Sequence, residues 1–379
     1  MSLIVFPFKE EDLDVVGANL EIAAAHRRVD AVWAVAATQG EAMAAVEGIA
    51  AGVGGAPVLV FPQERIGRFR PGKGDGLNTA LRHAAEQGFE RIHFYDADIT
   101  NFDEGWIDGA EQMADDGYQI VRHRFPRAST DAMITWMLTR PSLAILFPGT
   151  LLPRLGQPLG GEILLSQQAV AALAADPLVA ERSDWGVDTL ITYATATMGL
   201  PLYEHNVAEG KRHALYGSLA EIRTMVVECL DAVRSLRGLP APKIELATDP
   251  LAPVPDDLKQ TMGYDLERTV GLLTANWSRE EERLAEELPI RVVDGVLANR
   301  SEARYGFMDA DRWGDVLVHL HDRFVLGDPA WESLAFRLWL IRVLSYTSEV
   351  AVEGYDQAIE YLEATIRKYQ TIADQDGKP

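Results

Sequence analysis

The sequence predicts an α/β layer fold followed by an all-helical C-terminal region. Up to Tyr216, short apolar runs alternate with stretches of helical periodicity, as in layered α/β proteins. Past a Pro-rich stretch, Gly238 to Pro255, only 3.6-residue apolar spacing persists. No apolar run reaches the roughly 18 residues a bilayer span requires, which excludes an integral helical membrane protein.

The strands are expected at Leu3–Pro7, Ala31–Ala36, Pro57–Phe61, Arg91–Tyr95, Gln119–Arg122, Gly161–Leu165 and Pro201–His205. Helices are expected at Glu11–Ala25, Gly40–Ala51, Gly76–Glu86, Trp106–Asp115, Thr130–Leu146 and Asp188–Met198. The helical region reads as Leu219–Leu236, Asp256–Ala275, Ser278–Val296, Asp309–Phe324, Pro329–Val352 and Asp356–Tyr369. Domains are therefore drawn at 1–217 and 218–379, with a linker at about 238–255. Trp313, Phe324, Trp331, Phe336, Trp339 and Tyr346 are expected in the bundle core or a subunit interface, and a homo-oligomer, dimer or tetramer, is expected.

The hydrophobic fraction of 47% and charged fraction of 24% are those of an ordinary globular protein. The net charge of −22 repels nucleic acid and anionic lipid, so neither is an expected partner. It reads as solubility or as adaptation to a saline cytoplasm. The start, Met1-Ser2-Leu3-Ile4-Val5-Phe6, lacks the basic region of a signal peptide and reads as a buried strand. The one cysteine, Cys229, permits no intrachain disulfide, which fits a cytoplasmic location.

Five segments carry chemistry. In Arg91–Asp98 an apolar strand ends on Asp96-Ala97-Asp98, two hard carboxylates where α/β sheets bind ligands. Such oxygens suit Mg²⁺ or Mn²⁺ completed by phosphates, or they form an acidic turn. Arg70–Gly76 sets three glycines and Lys73 before a helix, suiting a phosphate or leaving oxygen, or only a helix entry. It is not a Walker A loop, because no Ser or Thr follows Lys73. His213, where the α/β pattern ends, is a structural residue or a third metal ligand, and Lys211 and Arg212 beside it could meet phosphates. In Ser183–Thr189 either aspartate could cap a helix, or Asp188 could hold a sugar hydroxyl. Arg127, before a helix capped by Ser129 or Thr130, makes either an ion pair or a pocket for a small carboxylate.

Together these segments resemble the mannosylglycerate synthase family of retaining GT-A glycosyltransferases. The match lies in Arg70–Leu81, Arg91–Thr100, Phe125–Met137, Gln157–Glu162, Ser183–Leu190 and Glu209–Gly217. It continues through Gly306–Asp309, Gly327–Pro329 and Arg342–Leu344, and so covers nearly the whole chain.

The resemblance implies a GT-A, Rossmann-like domain that moves mannose from GDP-mannose to D-glycerate, giving 2-O-α-mannosylglycerate, a compatible solute. GDP-glucose, and lactate or glycolate, are possible alternative substrates. It implies a metal held by Asp98, Asp96 and His213, as Mg²⁺, Mn²⁺ or another divalent cation such as Ca²⁺. It implies donor contacts from Pro7, Gln63, Lys73, Asp96, Ala97, Asp98 and Tyr216. Arg127, Asp131, Ala132 and Thr135 would receive the acceptor, and Asp188, Lys73 and Asp96 would be catalytic. Ala214 departs from the family, which has Arg after the metal-binding histidine. The rival readings are a sugar nucleotidyltransferase, whose Gly-rich loop would follow the first strand where Pro7-Phe8-Lys9 stands, and a non-catalytic nucleotide-sugar-binding protein.

Overall fold

The computed structural model describes residues 1–213, 218–250 and 252–375, the side chains of the last segment through 371. The calls on Ala214 and Tyr216 lie outside the described residues. The chain forms two compact units. One comprises Met1–Pro126, Leu155–Ala214 and Pro242–Pro253; the other comprises Arg127–Arg154, Leu215–Ala241 and Val254–Pro379.

The first unit is built on a sheet of β1 (Ser2–Phe8), β2 (Val29–Ala36), β3 (Val58–Pro62), β4 (Arg91–Phe94), β5 (Ile120–Arg124), β6 (Ile163–Ser166), β7 (Leu202–Asn206) and β8 (Leu246–Thr248). The order across it is β3-β2-β1-β4-β6-β5-β7-β8. Neighbours are parallel except β6, which runs antiparallel to both β4 and β5. Strand β1 is central and buried at every position but Pro7, because helices cover both faces of a parallel sheet. Burying Leu3, Ile4, Val5 and Phe6 stabilises the fold by roughly 1.5–3 kcal/mol per side chain. Mixed with helices in this order, the sheet has the expected α/β layering, and seven strands fall where the apolar runs placed them. The eighth, β8, lies inside the expected linker: three residues pair with β7, too short a run to stand out between prolines.

The second unit is helical. Its centre is Pro329–Glu349, which starts with Pro329 in its first turn and Asp328 accepting from the backbone N–H groups of Ala330 and Trp331. Trp313, Phe324, Trp331, Phe336, Trp339 and Tyr346 are all buried in the chain itself. Segment Arg127–Arg154 belongs to this unit because its side chains are tied there. Arg140 forks onto Glu363 at 3.0 and 2.9 Å, and the Trp313 indole donates to the carbonyl of Met137 at 2.5 Å.

Several helices are shorter than their patterns. Asp256–Ala275 becomes Asp256–Gln260 and Leu266–Gly271, because Asp265 caps a fresh helix through the Arg268 N–H. Ser278–Val296 breaks into Arg279–Ala285 and Val293–Ala298, with Pro289 in the gap. Thr130–Leu146 starts late: Ala132 sits at φ +53°, outside the helical region, and a π-helical turn, Thr135–Thr139, precedes Arg140–Leu146.

Candidate active site

The site lies at the C-terminal ends of the parallel strands, where β1 and β4 deliver Pro7 and the Asp96-Ala97-Asp98 turn. Burial at β4 is complete on the inner face, with His93, Phe94 and Tyr95 packed below the turn. The buried Asn19 amide, from the helix Leu13–Ala25, donates to the carbonyls of Ala97 and Ile99 at 3.1 and 3.0 Å and fixes the turn. No pattern in the sequence marked Asn19, because its target is a backbone far along the chain.

Lys73 opens a helix, Lys73–Gln87, rather than lying in a loop. Gly74 permits this. A Cβ there would meet the Arg182 carbonyl at 2.2 Å, so only glycine lets the helix start press against the 182–183 backbone. That approach sets Lys73 Nζ 3.0 Å from Asp188 Oδ2 and 3.0 Å from Asp96 Oδ1. Of the two aspartates near this helix start, Asp184 takes the local role, accepting from the Gly186 N–H at 2.9 Å. Asp188, in the first turn of Val187–Thr197, faces Lys73. Trp185 lies with its ring centroid 5.9 Å from the same ammonium.

A second ammonium completes the row. Lys211 Nζ is 2.5 Å from Asp96 Oδ2 and 2.6 Å from Glu162 Oε1. Three carboxylates and two ammoniums therefore alternate as Asp188, Lys73, Asp96, Lys211, Glu162. Lys211, like Lys73, pairs with two acids in this arrangement. Glu162, fully buried at the end of the matched Gln157–Glu162 run, was not marked as a site residue because nothing local reveals its partner. Gly161 lines the same row: a Cβ on it would come within 2.8 Å of both Asp96 Oδ1 and Lys73 Nζ.

The electrostatics follow from burial with pairing. Burial opposes charge on Asp96, but Lys211 and Lys73 outweigh it and hold the carboxyl well below the usual range. Burial also opposes charge on Lys73, and Asp188, Asp96 and Glu162 outweigh it, raising the ammonium well above its ordinary value. For Asp188 and Glu162 burial dominates and pushes both carboxyls up. Asp96 is thus the firmly ionised centre of the row.

Asp98 is half-buried beside it. Burial raises the carboxyl of Glu11 above its ordinary value against backbone hydrogen bonds that lower it, and the charges of Asp98 and Asp96 add to the rise. Glu11 was also missed, since it reads as an ordinary helix-start acid. The segment before His213 is stitched to this turn. The Thr100 N–H donates to the Arg212 carbonyl at 2.8 Å, and the Asn101 amide to that of Gly210 at 2.8 Å. Among the described residues no three His, Cys, Asp or Glu groups already form a metal cage. The donor types, half-buried carboxylate oxygens with an imidazole on the adjoining segment, fit a hard divalent cation completed by phosphate. Pro7 and Gln63 both lie against Gly76 of this helix start: a Cβ there would be 3.2 Å from Gln63 Oε1 and 3.7 Å from Pro7 Cβ.

The remaining site residues lie together in the helical unit. Arg127 Nη1 pairs with Asp131 Oδ2 at 2.8 Å, and Asp131 Oδ1 accepts from the Ala132 N–H at 2.6 Å. Thr135, nearly fully buried, opens the π-helical turn. The expected helix cap is absent from this turn. Thr130 Oγ1 accepts instead from the Gly263 N–H at 2.9 Å.

Two family models match the chain. Residues 2–235 match the mannosylglycerate synthase GT domain, and residues 258–366 match the mannosylglycerate synthase C-terminal domain. The chain belongs to the mannosylglycerate synthase family. It is 46% identical over 376 residues to a mannosylglycerate synthase of Rhodothermus marinus, covering 98% of this chain and 94% of that one. It is 43% identical over 378 residues to that of Selaginella moellendorffii, covering 98% and 90%. It is accordingly a hexosyltransferase. Glucosyl-3-phosphoglycerate synthase from Mycobacterium tuberculosis, solved with phosphoglyceric acid, shares the fold, with a TM-score of 0.51 at 21% identity over 63% of this chain and 81% of that one. The same enzyme solved with Mg²⁺ and uridine diphosphate gives a TM-score of 0.50 at 21% identity, covering 63% and 80%. These neighbours bear out the GT-A layering of the first unit.

Proposed function

We propose that this member of the family transfers mannose from GDP-mannose to D-glycerate with retention at the anomeric carbon, forming 2-O-α-mannosylglycerate. The observation that carries the reading is the row Asp188–Lys73–Asp96, which joins a carboxylate suited to a sugar hydroxyl to an ammonium suited to a diphosphate oxygen. The names of the two relatives support product and acceptor, and the neighbour solved with Mg²⁺ and uridine diphosphate supports a metal-assisted donor site.

In this reading Pro7, Gln63 and Ala97 line the donor pocket, and Asp188 accepts from a hydroxyl of the transferred sugar. Lys73 donates to the phosphate oxygen that gains charge as the glycosidic bond breaks. Asp98, Asp96 and His213 would hold a divalent cation, Mg²⁺ or Mn²⁺, which would supply further charge neutralisation for the diphosphate. Arg127 binds the acceptor carboxylate, with Asp131, Ala132 and Thr135 around its hydroxyls. The acceptor hydroxyl attacks on the face from which GDP departs and passes its proton to a phosphate oxygen, so no protein nucleophile is required. The single buried thiol, Cys229, supports a cytoplasmic setting. No helix among the described residues is long and apolar enough to cross a membrane. A homo-oligomer is part of the proposal.

A matrix of GDP-mannose, GDP-glucose and UDP-glucose against D-glycerate, lactate and glycolate tests the assignment. GDP release that requires glycerate and is greatest with GDP-mannose is the expected result. Undiminished transfer by metal-free protein in excess EDTA would refute the metal.

A further inference from the structure

The turn that carries Arg127 is held from outside as well as by its own Arg127–Asp131 and Asp131–Ala132 contacts. Three separate segments of the helical unit grip it, two at backbone carbonyls and one at the Thr130 hydroxyl. The Tyr346 hydroxyl, fully buried in the helix Pro329–Glu349, donates to the carbonyl of Ser129 at 2.8 Å. The hydroxyl of Tyr355, at the start of the last helix, donates to the carbonyl of Arg127 at 3.1 Å. Gly263 donates its N–H to Thr130, and stands so close that a Cβ would meet the Thr130 carbonyl at 2.5 Å. Next to Gly263, the Tyr264 hydroxyl shares a hydrogen with Thr347 Oγ1 at 2.5 Å, which ties this third segment back to the helix of Tyr346.

What these contacts restrain is an unfavourable conformation. Ala132 is left-handed at φ +53°, a region that penalises any side chain with a Cβ, and a π-helical turn follows it. Such backbone persists only where its surroundings over-determine it. We infer that Tyr346 and Tyr355 are positioning residues for the acceptor: their hydroxyls fix the Arg127–Ala132 turn in the geometry that receives a carboxylate. The inference rests on the reading of Arg127 as the acceptor's partner, and gives the helical unit a part in acceptor recognition. Each tyrosine acts through the turn and touches no substrate itself.

The test uses full-length Y355F and Y346F, each of which removes one oxygen. Both are expected to raise the KM for D-glycerate about fivefold, the factor that one neutral hydrogen bond contributes. The KM for GDP-mannose should stay within about twofold, and amide hydrogen exchange over 127–132, measured without substrate, should accelerate. A merely structural role would move both KM values together, and that result overturns the inference. So does faster exchange with an unchanged glycerate KM. Tyr355 is only half-buried, so Y355F remains informative if Y346F fails to fold. A wild-type protein that transfers nothing to glycerate counts against the activity reading alone. The exchange comparison then decides whether the hydroxyls hold the turn, and unchanged exchange overturns that too.

Discussion

Lys73 and Asp188 meet at 3.0 Å, Asp188 buried and Lys73 largely so, although 115 residues separate them and neither has a local reason to find the other. Removing one partner of a buried pair leaves an uncompensated charge, which costs about 3–5 kcal/mol when no other partner remains. Lys73 keeps Asp96 as a second partner, so D188A should sit at or below the lower bound, about 3 kcal/mol by urea unfolding. Its turnover should fall by about two orders of magnitude or more, the effect of losing a group that acts on the transition state. A variant that folds and keeps most of its turnover would refute an essential role for Asp188.

Lys211 holds the opposite oxygen of Asp96 and pairs also with Glu162. K211M strands the buried Glu162, whereas Asp96 keeps Lys73 as a partner, so the variant is expected to lose about 3 kcal/mol, the lower bound for an uncompensated buried charge. E162Q keeps an oxygen that accepts from Lys211, so it should lose about 1–2 kcal/mol. Chemical denaturation of both variants checks the order. Equal losses would mean that Glu162 contributes by charge as much as Lys211 does.

Ala132 pays for its left-handed backbone, and A132G tests by how much. Relief of strain is worth about 1–2 kcal/mol, offset by about 0.4–1 kcal/mol from the freer unfolded chain. The net expectation is a gain of about 0.5 kcal/mol with a raised KM for the acceptor, because the turn loosens. Thermal unfolding and acceptor kinetics together read both effects.

The stability of the helical unit depends on pH through His321. Its ring is buried, bonded to Ser142 at 2.9 Å, and burial, with Arg237 and Arg234 adding to it against Asp322, pushes its pKa down to about 4. An unfolded histidine titrates near 6.5. Between those values the unfolded chain binds a proton that the native protein does not, so stability is full above pH 6.5 and declines as pH falls toward 4. At about 1.4 kcal/mol per unit the decline reaches about 3 kcal/mol. Unfolding free energies of the wild type and H321Q across this range should converge at low pH, the variant lacking that part of the slope.

Periodicity and strand-end chemistry determined much of this protein. The seven apolar runs, the Asp96-Ala97-Asp98 turn at the end of β4, the Lys73 helix entry and the helical second half are all written locally, in residues spaced by 2.0 or 3.6. Family likeness then tied those segments to one enzyme class. Asp184 and Asp188 read alike in sequence, yet the fold makes one a turn acceptor and the other a partner of Lys73. Glu162, Asn19, Tyr346 and Tyr355 gave no local signal, since each acts on an atom at least 49 residues away. The helix expected at Thr130 started late because Gly263 claimed the threonine hydroxyl that would have capped it. Tertiary structure alone decided those points, because hydrogen bonds and ion pairs between distant residues depend on which backbones the fold brings within 3 Å, and no spacing along the chain records that.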